Sequence, residues 1–163
     1  MNKRIIITKN RHETQRIAVR LARETAETAM KKSARVIALS GNIGSGKTTF
    51  VQGFTKGLGI KEIPKSPTFI LMQIFNKPTT NNSKEPSSRA LGQQQTTNLI
   101  HIDAYRLEKP KELLHLGFKE ILRDPHNIVV IEWAEKVKKL LPQNTMWIKF
   151  EHAGKNKRLL RVN

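Results

Sequence analysis

Val36-Ile37-Ala38-Leu39 is an apolar run of strand length, followed at once by Gly41-Asn42-Ile43-Gly44-Ser45-Gly46-Lys47-Thr48-Thr49 and a helical stretch from Lys47 to Leu58. Strand, glycine loop and helix in that order match G-x-x-x-x-G-K-[ST], the loop that cradles phosphates. Each position has a physical reason. The glycines let successive backbone N–H groups turn inward into a nest for phosphate oxygens. Lys47 would neutralise the β- and γ-phosphates, the Thr48 hydroxyl would bind Mg²⁺, and the positive end of the helix points at the same anions. A Gly-rich turn that binds nothing would not need this strand before it and this helix after it.

Working outward, Arg4-Ile5-Ile6-Ile7-Thr8 reads as a short strand, and Asn10 can cap a helix from about Arg11 to Lys32. Ala18, Ala22, Thr25 and Ala29 make a small-residue stripe on that helix, which predicts packing on a sheet. Downstream, Gly57-Leu58-Gly59 can end the second helix, and the run from Phe69 to Phe75 reads as a strand. From about Asn76 to Asn98 the chain turns to Asn, Thr, Ser, Gln, Lys and Pro, so this stretch is expected to be a flexible insertion. Leu99-Ile100-His101-Ile102-Asp103 and Ile128-Val129-Val130-Ile131-Glu132 follow as buried strands, with a helix opening near Pro110 between them. Ala134 to Leu141 reads as helical. Met146 to Phe150 and Arg158 to Val162 read as two strands joined by a turn at Gly154-Lys155-Asn156. The pattern predicts one α/β domain over 1–163, a P-loop NTPase-type three-layer fold with a mixed sheet including antiparallel strands.

The chain has 163 residues, no cysteine, and 30 Lys+Arg against 13 Asp+Glu, a formal charge of +17. Zero cysteines exclude a disulfide scaffold, a thiolate zinc site and a cysteine nucleophile, and suit a reducing cytoplasm. No apolar run approaches the ~20 residues of a membrane span, so no membrane is expected, and the Arg-rich start carries too many acids for a transit peptide. Residues 1–40 carry 10 basic and 3 acidic groups, and 136–163 carry 8 and 1. If these ends meet in the fold they form a basic face able to attract tRNA or an acidic partner; the alternative is a solvated surface.

Phosphoryl transfer at such a loop needs a carboxylate at the end of a buried strand. Asp103 and Glu132 both end apolar runs, where α/β proteins bind ligands at the C-terminal sheet edge. Either can instead be a strand-end acid paired with arginine, and Arg106 is near Asp103 in sequence. His101, alone in an apolar run, reads as structural rather than catalytic, and Trp133 as core. Asn76-Lys77-Pro78 lacks the aspartate of a guanine-reading motif, because Thr79 stands there.

Taken together, these residues resemble the TsaE (YjeE) family, small bacterial P-loop ATPases needed to make threonylcarbamoyladenosine in tRNA. The likeness runs through the helix containing Thr14, the loop Gly41 to Thr49, Ser66-Pro67-Thr68-Phe69, His101-Ile102-Asp103-Ala104-Tyr105-Arg106-Leu107, Leu116-Gly117-Phe118 and Glu132-Trp133-Ala134-Glu135. The resemblance implies ATP and Mg²⁺ as ligands. Ile43 to Thr48 would wrap the phosphates, with Gly41, Asn42 and Thr49 completing the loop. Thr48 and Glu132 would serve Mg²⁺, and Asp103 would order metal or water. Thr68 would be a switch threonine, Thr14 would lie near the nucleotide, and Trp133 would move from core to site neighbour. The implied role is ATP hydrolysis alongside the TsaB–TsaD complex, in modifying the adenosine next to the anticodon of tRNAs that read codons starting with A. Two departures stand out: Asn42 replaces the family's usual Asp, and the insertion exceeds its usual hairpin connection. Rival readings are a small-molecule P-loop kinase and a basic tRNA-binding module in which ATP is a conformational ligand.

Overall fold

A computed structural model describes residues 4–28, 32–64, 70–76 and 97–163. Seven strands form one sheet: β1 (Arg4–Thr8), β2 (Arg35–Ser40), β3 (Met72–Asn76), β4 (Asn98–Asp103), β5 (Asn127–Glu132), β6 (Met146–His152) and β7 (Arg158–Val162). Their spatial order is β1-β7-β6-β2-β5-β4-β3. The four central strands β6, β2, β5 and β4 are parallel, while β3 and β7 pair antiparallel with their neighbours. The helices are α1 (Arg11–Glu27), α2 (Lys47–Gly57), α3 (Lys111–His115), α4 (Phe118–Arg123) and a 3₁₀ helix (Ala134–Leu140). No helix among the described residues is long and apolar enough to cross a membrane.

The central strands β2, β4 and β5 are buried on both faces, and the two-residue alternation of the strands decides which side chains meet which helices. Ile37, Leu39, Leu99, Ile128, Val130 and Ile148 pack with Phe50, Val51 and Phe54 of α2 and with Ala18 and Ala22 of α1. Val36, Ala38, Ile100, Ile102, Val129 and Ile131 face the other way, onto Leu113, Phe118 and Val137. This makes three layers. By the same alternation, His101 and Asp103 share a face with Leu99, and Glu132 shares one with Val130. All three acid and imidazole side chains therefore lie on the α2 side.

Several expectations are corrected. α1 ends at Glu27, where the Thr28 N–H donates to the Glu24 carbonyl, rather than reaching Lys32; Ala29 lies outside the described residues. The third strand starts at Met72 rather than Phe69, because Leu71 sits in the left-handed region at φ 61° and breaks the extended run. The segment after Glu132 is a 3₁₀ helix rather than an α-helix; its end is marked by the Leu141 N–H bonding back three residues to Lys138, with Pro142 next in the chain. Of the expected insertion, Asn76 and Asn98 face each other across β3 and β4, and 77–96 lie outside the described residues. The basic ends do meet, since β1 pairs with β7 and β7 with β6.

The small-residue stripe of α1, part of the same core cluster as the sheet residues, also packs closely on α2. A Cβ on Gly53 would lie 2.6 Å from the Gln15 carbonyl oxygen, and one on Gly57 would lie 2.6 Å from that of Val19 and 2.7 Å from Ala22 Cβ. The two helices thus approach closely enough for only hydrogen to fit. Alanine is intrinsically the better helix former by about 1 kcal/mol, yet here it meets backbone. Gly57→Ala is expected to destabilise the fold by about 1–3 kcal/mol, the usual cost of overpacking. A urea midpoint that stayed level or rose would show that the helices can move apart without loss.

Candidate functional site

The loop between β2 and α2 rests against the start of the β6–β7 hairpin. Gly41 adopts φ 133°, and a Cβ there would collide with the Phe150 carbonyl oxygen on β6, so both dihedral and space require glycine. Gly46 precedes α2 with no side-chain cap on its first turn. The amide donors of that turn have no capping side chain, and an uncapped helix terminus of this kind suits an anion.

A cleft of about 330 Å³ opens beside this loop, lined by Lys47, Thr48, Asp103, Tyr105, Glu132 and Trp133 with loop residues Ile43, Gly44, Gly46 and Thr49. The Thr48 hydroxyl donates to Glu132 Oε2 at 2.9 Å. The other carboxylate oxygen, Oε1, lies 3.0 Å from His101 Nε2 in a fully buried contact. An ionised Glu132 accepts both bonds, which places the imidazole proton on Nε2; Nδ1 has no partner among the described residues. His101 is therefore a buried histidine with a partner, Glu132, that its sequence context did not show. It fixes one oxygen of Glu132 and aims the other at Thr48.

Asp103 stands opposite Glu132 in the β4–β5 register. It is buried, and its Oδ1 accepts the Tyr105 N–H at 3.0 Å. Lys47 is buried too, and its Nζ donates to the Gly41 and Asn42 carbonyl oxygens at 2.7 and 3.0 Å. Burial pushes its pKa below the ordinary value of 10.5, with Glu132, Glu135 and Asp103 pulling the other way. The Trp133 ring centroid lies 4.0 Å from the same Nζ, a cation–π contact. Trp133 holds that place with a left-handed backbone, φ 56°, which is strained for a bulky residue. The Tyr105 ring packs on it at 5.0 Å.

Hard oxygen donors on Thr48, Glu132 and Asp103 suit Mg²⁺. Among the described residues no group of three His, Cys, Asp or Glu side chains forms a self-sufficient cage.

The sequence-predicted residues divide as follows. Gly44, Gly46, Lys47, Thr48, Thr49, Asp103, Glu132, Trp133 and Ile43 line one cleft, with Ile43 exposed at its rim. Gly41 and Asn42 contribute carbonyls that hold Lys47. Buried Ser45 has a hydroxyl without a partner among the described residues. Thr14 is not in this cleft; its hydroxyl is 2.8 Å from that of Thr8, and it lines a second cleft across the loop with Gly44, Gly46 and Thr49. Thr68 lies outside the described residues. His101 and Tyr105 were not expected in the site, although the alternation of the β4 run could have placed His101 there.

A family profile described as threonylcarbamoyl adenosine biosynthesis protein TsaE matches residues 8–160. The chain belongs to the TsaE family. The Bacillus subtilis relative named tRNA threonylcarbamoyladenosine biosynthesis protein TsaE is 33% identical over 151 residues, spanning 93% of this chain and 79% of that one. A Rickettsia felis protein of the same name is 31% identical over 159 residues, spanning 97% and 78%. The crystal structure of Bacillus subtilis YdiB superposes with a TM-score of 0.70 at 27% identity, covering 99% of this chain and 84% of that chain. TsaE membership and this α/β mixed-sheet architecture thus agree with each other.

Proposed function

We propose that this chain is a Mg²⁺-dependent ATPase that serves the threonylcarbamoyladenosine modification of tRNA and works with the TsaB–TsaD complex. The observation that carries the catalytic part is the bond from Thr48 Oγ1 to Glu132 Oε2 at 2.9 Å, set beside a buried lysine at the mouth of the phosphate loop. This is the pairing expected of a loop threonine and a strand-end acid that share a cation. The membership of the TsaE family carries the pathway part.

Thr48 and Glu132 would hold Mg²⁺, which when bound supplies charge neutralisation across the β- and γ-phosphates. Lys47 would exchange a loop carbonyl for phosphate oxygen, keeping its ammonium under the Trp133 ring. Asp103, fixed by the Tyr105 N–H, would order water for in-line attack at the γ-phosphorus. The bond from that phosphorus to the bridging oxygen breaks, and ADP leaves with the electron pair while inorganic phosphate forms. Among the described residues no arginine lines the cleft that holds the acids, so hydrolysis should be slow in the isolated chain and faster when the partner complex completes the site. The adjoining basic ends supply a surface for tRNA backbone, a contact whose mark is steep salt dependence.

The test is phosphate release from ATP with Mg²⁺, alone and with TsaB–TsaD. Stimulation by the pair supports the proposal. Binding of ATP without hydrolysis under either condition would instead favour a nucleotide-gated binding module.

A further inference from the structure

Two chain segments frame the acid side of the cleft. One leaves β4 with Asp103 and Tyr105, and the other leaves β5 with Glu132 and Trp133. Ala104 and Leu107 bury the root of the first segment, yet Tyr105 between them is 45% exposed. Trp133, against which the Tyr105 ring packs, has a left-handed backbone. An exposed ring on a strained residue keeps its place only where the surroundings over-determine it.

Lys136, which does not itself line the cleft, ties the two segments together. Its backbone N–H closes the first turn of the 3₁₀ helix on the Trp133 carbonyl at 3.1 Å. Its side chain crosses to the other segment, where Nζ donates to the carbonyl oxygen of Tyr105 and, at 2.9 Å, to that of Leu107. The same Nζ lies 5.8 Å from the Tyr105 ring centroid. Tyr105 is thus gripped at its carbonyl by Lys136, while its own N–H donates to Asp103 Oδ1 at 3.0 Å. The result is an unbroken run of contacts from one ammonium to the other: Lys47 on Trp133, Trp133 on Tyr105, Tyr105 on Lys136. Charge-assisted bonds are the stronger kind, and two from one ammonium fix both the position and the tilt of the segment they hold.

Resting on the nucleotide reading above, we propose that Lys136 is a positioning residue for ATP hydrolysis. By clamping the segment after β4 onto the first turn of the 3₁₀ helix, it sets where Asp103 presents its carboxylate and where Trp133 meets Lys47. The loop amides that bind phosphate are left untouched by this clamp. Its loss therefore displaces the acid without removing the ligand's own contacts.

The test uses the full chain and three measurements: ATP hydrolysis with Mg²⁺, calorimetric titration with Mg²⁺-ADP, and acrylamide quenching of Trp133 fluorescence in the ligand-free protein. The chain has two tryptophans, so quenching is read in a Trp147→Phe background. Lys136→Met is expected to lower kcat about tenfold or more, the scale of a small misplacement of a catalytic group, with ADP affinity held within about threefold. Trp133 should become easier to quench. Lys136→Arg, whose guanidinium can donate to the same two carbonyls, should recover most of both effects. Unchanged kcat and quenching in Lys136→Met would overturn the proposal. So would an equal fall in kcat and ADP affinity, which would mark Lys136 as general support for the site. A wild type that binds ADP yet never hydrolyses ATP, even with the partner complex, would overturn the catalytic reading itself and this role with it. Should Lys136→Met lower the thermal midpoint sharply, Lys136→Gln, which keeps a donor and loses the charge, is put through the same measurements, and a smaller fall in kcat at unchanged ADP affinity is expected.

Discussion

Lys47→Met is expected to lower ATP hydrolysis by about 10²-fold or more, the scale of losing one preorganised electrostatic group, while leaving the ligand-free protein as stable as before or more so. The two effects share a cause. Lys47 carries its charge in a buried position, and burial outweighs the pull of Glu132, Glu135 and Asp103, so its pKa falls below 10.5. A buried charge of that kind costs folding free energy in the empty protein. The Gly41 and Asn42 carbonyls that it satisfies belong to half-buried and exposed residues, so water can replace the ammonium when it is gone. The sign follows from proton linkage. The unfolded chain holds the Lys47 proton more tightly than the folded chain does, so this lysine makes stability rise as pH climbs from its folded pKa towards 10.5. Urea midpoints across that window should show the rise in the wild type and lose this part of it in Lys47→Met. A variant that is clearly less stable than the wild type at neutral pH would mean that the carbonyl bonds and the Trp133 contact outweigh the burial.

What could be read from the chain and what could not separates along a physical line. The phosphate loop is a local object: its glycines, lysine and threonine are neighbours in sequence, and the strand and helix around it announce themselves by period. Asp103 and Glu132 were legible because an apolar run ending in an acid has one natural place, the C-terminal edge of a parallel sheet. The partner of His101 was not legible because it lies 31 residues away, and only the register of β4 against β5 brings the two together. Arg158 meets Gly44 across 114 residues. Nothing in its own surroundings, a short basic strand near the end of the chain, distinguishes it from a solvated arginine. The close contact of α1 with α2 was not legible for a related reason. A stripe of alanines says that something comes close, and the glycines at 53 and 57 that say what comes close sit on another helix. Backbone strain is equally silent in sequence, and the left-handed turns at Leu71 and Trp133 had no glycine to give them away.

Glu132→Gln should separate cation use from nucleotide binding. The carboxylate does two jobs at once: Oε2 accepts from Thr48 at 2.9 Å and Oε1 accepts from His101 at 3.0 Å. An amide has one oxygen for those two donors. If the oxygen keeps Thr48, the NH₂ faces His101, whose Nε2 must then become an acceptor. The imidazole proton moves to Nδ1, which is buried and has no partner among the described residues. If the oxygen turns to His101, the NH₂ faces Thr48 and offers no oxygen where the cation is needed. Either arrangement strands one polar group, at about 1–3 kcal/mol, and removes the negative charge. Hydrolysis is therefore expected to fall about 10²-fold or more, with the residual rate requiring more Mg²⁺. ADP affinity measured without Mg²⁺ should change by less than about threefold, because the loop amides and Lys47 remain. Near-normal hydrolysis at ordinary Mg²⁺ would remove Glu132 from the cation site and leave Asp103 as the acid to test. Loss of ADP binding without Mg²⁺ would show instead that the His101, Glu132 and Thr48 chain holds the loop in shape, a structural role reaching from β4 through β5 to the first turn of α2.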